Sequence, residues 1–377
     1  MKLLFLNGSR GEWGYIRPII DQCVAQGINY SICATNMLML PSHGLLVEEI
    51  KANGYRVSDE IYMSLEGHNH FSMTKSLGIF LSSFTDTIRR ERPNWVILAG
   101  DRGEQMAGAM AAAYTYTPVA HIQAGERSGN IDGVARHAIG KFVHLHFAAN
   151  KDSGERLKRL GEEQFRVKVV GAPQLDELVN CRIPSRNELA HTLSIPTEGE
   201  FLLVVQHPVT EEMGVAAEQV AELANALKQF SFPKVWILPN NDAGSGLVQR
   251  TLLSYRDRDI HVFDNLTRLN YLGLLKHCAA IVGNSSSGLL EAPTFETPAV
   301  NLGRRQADRV QGSNVINAEF ERAAIVEAIS LAISPKFRKS LTDCVNPYGD
   351  GRSSERIIEV LNKTVIDDRL LIKRLTY

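Results

Sequence analysis

The sequence predicts an α/β protein of two Rossmann-like domains facing a central cleft. Three observations predict it. Short apolar runs (Trp95 to Ala99, Pro118 to Ile122, Leu145 to Ala149) alternate with helical patterns, the β-loop-α-β grammar of a parallel sheet. The same grammar begins again at Phe201. At 377 residues the chain is long for a single core. A composition shift through Asn180, Pro184, Ser185 and Pro196 marks the join. The expected domains are 1–172 and 173–352, with a helix and tail at 353–377 packing back on the first. In such sheets the loops at the carboxyl ends of the strands face the ligand crevice, and clefts between domains are preferred ligand sites.

In the first half, Lys2 to Asn7 reads as a strand that breaks at Gly8, with a helix from Tyr15 to Gln26. Gly8, Gly11 and Gly14 let the backbone turn and expose amides at a helix start, where an anion can bind. Arg10 in this loop is either a solvated arginine or a phosphate ligand. The spacing is not GxGxxG, and the next strand, Tyr30 to Thr35, ends at Asn36 rather than an acidic residue. A nicotinamide cofactor is therefore not expected. Residues 40–75 read as loop-rich, and their His43, His68 and His70 hint only weakly at a metal. Ser76 to Arg92 is an amphipathic helix ended by Pro93. The Trp95 strand stops at Gly100-Asp101-Arg102, and a small-residue helix covers Glu104 to Ala113. The next strand ends in Gly125-Glu126, before a helix carrying Asp132, Arg136 and His137. Lys151 to Leu160 is a helix, and Phe165 to Val170 a strand.

In the second half, strands are expected at Phe201 to Gln206, Val235 to Leu238, Ile260 to Phe263, Ala279 to Val282 and Ala299 to Leu302. Helices are expected at Glu212 to Phe230, from Gly244 to about Tyr255, at Leu269 to Cys278, and from the serines that follow Gly283. A last helix covers Ser353 to Asn362.

Composition narrows the function. With 44% hydrophobic and 22% charged residues the chain is an ordinary globular protein. A net charge of −1 gives no field for nucleic acid or an anionic membrane, so neither is an expected partner. Cys23, Cys33, Cys181, Cys278 and Cys344 form no CxxC pair and no zinc spacing, which suits reduced thiols in a cytoplasmic protein. The apolar run at the amino end is too short for a signal peptide, and no stretch is long enough to span a membrane.

Asp101, Glu126 and Asp132 fall at strand ends and converge on one crevice, with Arg102, Arg136 and His137 beside them. Such a set suits proton chemistry at an uncharged carbon or hydroxyl. Asp132 and Arg136 share a helix face, as partners in a site or as an ordinary ion pair. Ser285, Ser286 and Ser287 offer hydroxyls and amides to a diphosphate, or simply cap a helix. Glu291, one turn further, has a carboxylate able to accept both hydrogen bonds of a ribose diol; a surface Glu is the alternative. His207 sits at a strand end before a proline, and Asn240, Asn241 and Asp242 share that edge, as ligands or as turn residues.

Several stretches occur together in one order: GSRGEWGYIRP at 8–18, GDR at 100–102, AGE at 124–126, IDGVARHAIGK at 131–141, HLHF at 144–147, QHPVT at 206–210, PNNDAGS at 239–245, VGNSSSGLLEAP at 282–293 and GRRQADRVQG at 303–312. By these the chain resembles the hydrolysing UDP-N-acetylglucosamine 2-epimerases of bacterial sialic and legionaminic acid biosynthesis, which share a fold with non-hydrolysing 2-epimerases and GT-B glycosyltransferases. The resemblance implies a nucleotide-sugar substrate in the cleft, UDP-linked. It maps the catalytic carboxylates onto Asp101, Glu126 and Asp132. It places the nucleotide at Ser285, Ser286 and Glu291, with Arg10 and His207 near the diphosphate. The implied reaction is anti elimination of the nucleoside diphosphate to a 2-acetamidoglycal, then hydration that inverts C2 and frees a sugar such as N-acetylmannosamine. No redox cofactor and no metal are implied; a homodimer or homotetramer is. Two positions depart from the family pattern: Gly133 stands where a second acidic residue is usual, and Gln123-Ala124 precedes the Gly-Glu pair. Both leave open the sugar, N-acetylglucosamine or a 2,4-diacetamido-trideoxy sugar on UDP or GDP. A non-hydrolysing epimerase, a GT-B transferase or an inactive nucleotide-sugar-binding protein are the competing readings.

Overall fold

The computed structural model describes residues 1–41, 44–66, 70–127, 131–196, 199–239, 245–255, 259–264, 266–306, 308–374 and 376. The side chains of His70, Ile131, Asp132, Thr210, Glu211, Met213 and Ser245 are outside that description. In chain order the elements are β1 (Lys2–Asn7), α1 (Arg10–Ala25), β2 (Asn29–Thr35), α2 (Leu46–Ala52), β3 (Val57–Ile61), α3 (His70–Glu91), β4 (Trp95–Ala99), α4 (Gly103–Tyr114), β5 (Val119–Ile122), α5 (Ile131–Phe142), β6 (Leu145–Ala148), α6 (Lys151–Arg159), β7 (Val167–Val169) and α7 (Gln174–Asn180). There follow α8 (Arg186–Leu193), β8 (Leu202–Val205), α9 (Ala216–Leu227), β9 (Lys234–Ile237), α10 (Ser245–Ser254), β10 (Ile260–Phe263), α11 (Arg268–His277), β11 (Ala280–Gly283), α12 (Ser287–Leu290), β12 (Ala299–Leu302), β13 (Val315–Ala318), α13 (Arg322–Ala332), α14 (Pro335–Lys339), α15 (Ser353–Lys363) and α16 (Asp368–Leu371).

These elements form two units, Met1–Val179 with Tyr348–Tyr377, and Asn180–Pro347. The sheet of the first runs β3-β2-β1-β4-β5-β6-β7 and that of the second β10-β9-β8-β11-β12-β13. Every strand pairing is parallel. Both orders reverse once, between β1 and β4 and between β8 and β11; in open parallel sheets the crevice beyond such a reversal is the ligand position.

The central strands are buried on both faces, which is why they read as unbroken apolar runs. Leu3 and Phe5 of β1 pack with Ile19 and Ile20 of α1, while Leu4 and Leu6 pack with Phe80 and Phe84 of α3 on the other face. Ile357, Ile358 and Leu361 of α15 belong to the α1 side of that core. In the second unit Val204, Trp236 and Val282 face α9, and Leu203, Val235 and Ile281 face α11.

The structure corrects several boundaries. Helix α1 starts at Arg10 rather than Tyr15, so Gly11 and Gly14 are helical and not loop residues. The cause is a capping box: Ser9 Oγ accepts from the Glu12 amide, and the Glu12 carboxylate reaches back to the Ser9 amide. The stretch expected as loop-rich holds α2 and the half-buried β3, whose VSDEI sequence carries little apolar signal. The long helix expected from Glu212 is a 3-10 turn over Thr210–Val215 and then α9. β13, α13 and α14 were not expected from the sequence. Among the described residues the cysteines form no disulfide. Among the described residues no helix is long and apolar enough to cross a membrane.

Candidate active site

At the reversal of the first sheet, β4 ends in Gly100, whose φ of +84° favours glycine. Its carbonyl lies 2.6 Å from Nε2 of the buried His121 on β5. Burial lowers the His121 pKa to about 3, so the ring is neutral, Nε2 donates to Gly100, and the turn that presents Asp101 is fixed. Asp101 makes a short ion pair with Arg136 Nη2 of α5. The guanidinium is buried, and its Nη1 donates to the Gln123 carbonyl at 2.7 Å. One arginine therefore ties the end of β4 to the end of β5 through α5. The Asp132 side chain is outside the described residues; its backbone opens α5.

The turn after β5 is held in unusual backbone. Gln123 has φ +61° and Gly125 φ +75°. Gln123 Nε2 donates to Gln174 Oε1 at 3.0 Å, and Arg156 Nη1 donates to the Gly125 carbonyl at 2.6 Å. A Cβ at Gly125 would run into the Ser153 carbonyl. The buried Glu126 that follows accepts from Asn150 Nδ2 at 3.4 Å. His137 stands one residue beyond Arg136. Burial lowers its pKa, and the charges of Arg136, Arg156 and Lys141 lower it further, so it is a neutral imidazole. Its Nδ1 is buried without a hydrogen-bond partner among the described residues.

The anion seat expected after β1 is already filled. The Gly8 and Ser9 amides donate to Glu12 Oε2 at 2.5 and 3.1 Å. Burial, then the nearby charge of Glu104, raises the Glu12 pKa well above the ordinary carboxylate range. Glu104 is buried too; it accepts from Asn36 Nδ2 at 3.0 Å, and a Cβ at Gly8 would overlap it. Arg10 is exposed on the first turn of α1. The S-x-x-E spacing at Ser9 signals Glu12; nothing in the sequence signals Glu104.

At the reversal of the second sheet, β11 ends in Gly283, with φ +131° and no room for a Cβ beside the Val205 carbonyl. The buried Asn284 then bridges to the loop after β8. Its Oδ1 accepts from the His207 amide and its Nδ2 donates to the His207 carbonyl, both at 2.8 Å. Arg305 and Gln306 both donate to the Asn284 carbonyl, at 3.1 and 3.0 Å. His207 and the serines are thereby brought to one crevice. Ser286 makes no side-chain cap, and the helix expected here is only α12, giving way to a 3-10 turn at Ala292-Pro293. The hydroxyls instead form a chain: Ser285 Oγ lies 2.9 Å from Ser287 Oγ, which makes a short bond with Tyr271. Burial raises the Tyr271 pKa, keeping the phenol neutral. Glu291 is buried rather than a surface Glu, with Arg268 Nη2 2.5 Å from its Oε1. Arg268, Tyr271 and Asn284 escaped sequence reasoning. Only Asn284 had a visible signal, its place inside the GNSSSG stretch. Asn240, Asn241 and Asp242, like His43 and His68, are outside the described residues.

Each cluster sits at the carboxyl edge of its own sheet. The first holds carboxylates, a guanidinium and a neutral imidazole, groups able to move protons. The second holds neutral hydroxyls, amides and an arginine–carboxylate pair, groups able to bind an oxygen-rich ligand.

Comparison with known proteins gives the family. The family model for UDP-N-acetylglucosamine 2-epimerase matches residues 22–362. The chain is 33% identical over 375 residues to the UDP-N,N'-diacetylbacillosamine 2-epimerase (hydrolyzing) of Legionella pneumophila, covering 99% of this chain and 98% of that one. It is 31% identical over 363 residues to a UDP-N-acetylglucosamine 2-epimerase of Neisseria meningitidis, covering 96% and 95%. Its fold superposes with a TM-score of 0.83 on the crystal structure of UDP-GlcNAc 2-epimerase from Neisseria meningitidis bound to UDP-GlcNAc, at 22% identity over 97% of this chain and 100% of that one.

Proposed function

The chain belongs to the UDP-N-acetylglucosamine 2-epimerase family, and from that premise we propose that it is a hydrolysing epimerase of a UDP-linked 2-acetamido sugar. The observation that carries the reading is Asp101, held at the end of β4 by the buried Arg136, with Glu126 at the end of the neighbouring β5. The relative at 33% identity, named as hydrolysing, supports the hydrolytic outcome.

In this reading Ser285, Ser286, Ser287 and His207 hold the diphosphate, Glu291 with Arg268 meets the ribose, and Arg10 is a further phosphate ligand. The C2–H of a sugar is a weak acid, and a carboxylate alone removes it slowly. Stretching the C1–O bond builds positive charge at C1 and acidifies C2–H. One of the carboxylates Asp101, Glu126 and Asp132 takes the proton; the C2–H electron pair forms the C1=C2 bond as the diphosphate leaves with the C1–O pair. Water then adds hydroxide at C1 and a proton at C2 from the opposite face, with a second carboxyl group and His137 serving that step. The products are UDP and the free 2-epimeric sugar. The enzyme needs no added redox cofactor or metal in this scheme.

The test is proton NMR in deuterium oxide with UDP-N-acetylglucosamine and UDP-N,N'-diacetylbacillosamine, without acceptor. The expected result is UDP and a free 2-epimer deuterated at C2. Return of an intact epimeric nucleotide sugar would overturn hydrolysis, and no turnover of either donor would overturn the assignment.

A further inference from the structure

The segment after α15 is tied to its unit by buried polar groups. Arg166, fully buried, donates to the carbonyls of Leu370 at 2.6 Å, Arg369 at 2.8 Å and Ile372 at 3.3 Å. It also donates to the His144 carbonyl at 3.2 Å. Past this clamp Lys373 turns inward. Its Nζ lies 2.6 Å from Glu162 Oε2 and donates to the Gly140 carbonyl in the last turn of α5. Lys141, also in that turn, lies 2.9 Å from Glu162 Oε1 and donates to the Leu160 carbonyl. His146 Nε2 completes the set at 3.0 Å from Glu162 Oε2. The Glu162 side chain is 1% exposed. One buried carboxylate thus gathers two ammonium groups and an imidazole around the carboxyl end of α5.

That helix carries Asp132, Arg136 and His137. Its last carbonyls bear the negative end of the helix dipole, which cations stabilise. A tail that needed only to cover apolar surface would not bury a lysine, because an ammonium out of water is costly unless its partners are fixed. We propose that the carboxyl-terminal tail is a latch on α5 and that Lys373 is a positioning residue, fixing the helix end so that Arg136 meets Asp101. The inference rests on the function proposed above, for which α5 supplies the groups at the sugar.

Full-length Lys373→Met and Lys373→Arg chains test it, by hydrogen exchange and by steady-state kinetics on the donor that the wild type turns over. In Lys373→Met the α5 amides should exchange about tenfold faster while those of α1 and α9 keep their protection. Turnover should fall about tenfold in kcat with KM within about twofold, and Lys373→Arg should regain most of it. Unchanged exchange in α5 would overturn the latch. A loosened α5 with unchanged kcat would overturn the positioning role, as would protection lost evenly across the molecule with kcat and KM moving together. If the wild type turns over no donor, the proposed function fails, and the latch is judged on exchange alone.

Discussion

Arg136 adds a side-chain tie between the turns that follow two neighbouring strands, β4 and β5. Its planar fork suits two acceptors at once, the Asp101 carboxylate and the Gln123 carbonyl, and an ammonium cannot reproduce that geometry. Arg136→Met should therefore lower kcat by about 10²-fold or more, with Arg136→Lys in between. UDP affinity should stay within about twofold, since none of the groups proposed to hold the nucleotide is bonded to Arg136. Titration calorimetry with UDP beside steady-state kinetics would check the split; equal losses in both would refute it. Asp101 and Glu126 were legible in the sequence because each follows an apolar run at a strand end. The Arg136 partnership was not. Spacing along one helix suggested Asp132, and only the parallel sheet brings the end of β4 within reach.

At the scale of elements, the first turn of α1 shows how a short motif outweighs a glycine signal. Three glycines suggested an open loop, yet the Ser9–Glu12 capping box starts the helix ahead of two of them. Ser9→Ala should cost about 1 kcal/mol, measured by urea unfolding, because one capped amide loses its acceptor. A cost near zero would mean that Glu12 alone organises the turn. The buried strands β4, β8, β11 and β12 were readable because both faces are apolar. The edge strands β3 and β13 were not, since each is only half-covered and mixes polar with apolar residues. The serine stretch was expected to be a ligand feature that opens a helix, and that helix was overestimated because Pro293 turns the chain so soon.

For the whole molecule, three buried histidines set the response to acid. Burial lowers His121 to about 3, and His144 and His146 to about 4, from an ordinary 6.5. The folded chain binds fewer protons than the unfolded one between those values, so this stability is complete above 6.5 and is lost as pH falls toward 4. The loss should reach several kcal/mol, roughly, and Tm by calorimetry should be clearly lower at pH 5 than at pH 7. An unchanged Tm would show that the folded rings already carry protons. Glu162 adds to the loss only in stronger acid: burial opposes its ionisation, but His146 and Lys373 outweigh this and hold it at about 2. Lys373, lowered by burial to about 8, acts at the other end of the scale, where stability gains as pH rises from there toward 10.5. The chain begins and ends in one unit, with the other nested at Asn180–Pro347. α15 supplies Ile357, Ile358 and Leu361 to a core that β1 and α1 began. During synthesis the outer unit has all its strands first, yet it waits, one layer short, until the whole nested unit has been made and α15 emerges. A stop codon upstream of α15 would thus leave the earliest-made half of the protein with a bare apolar face and the later-made half finished.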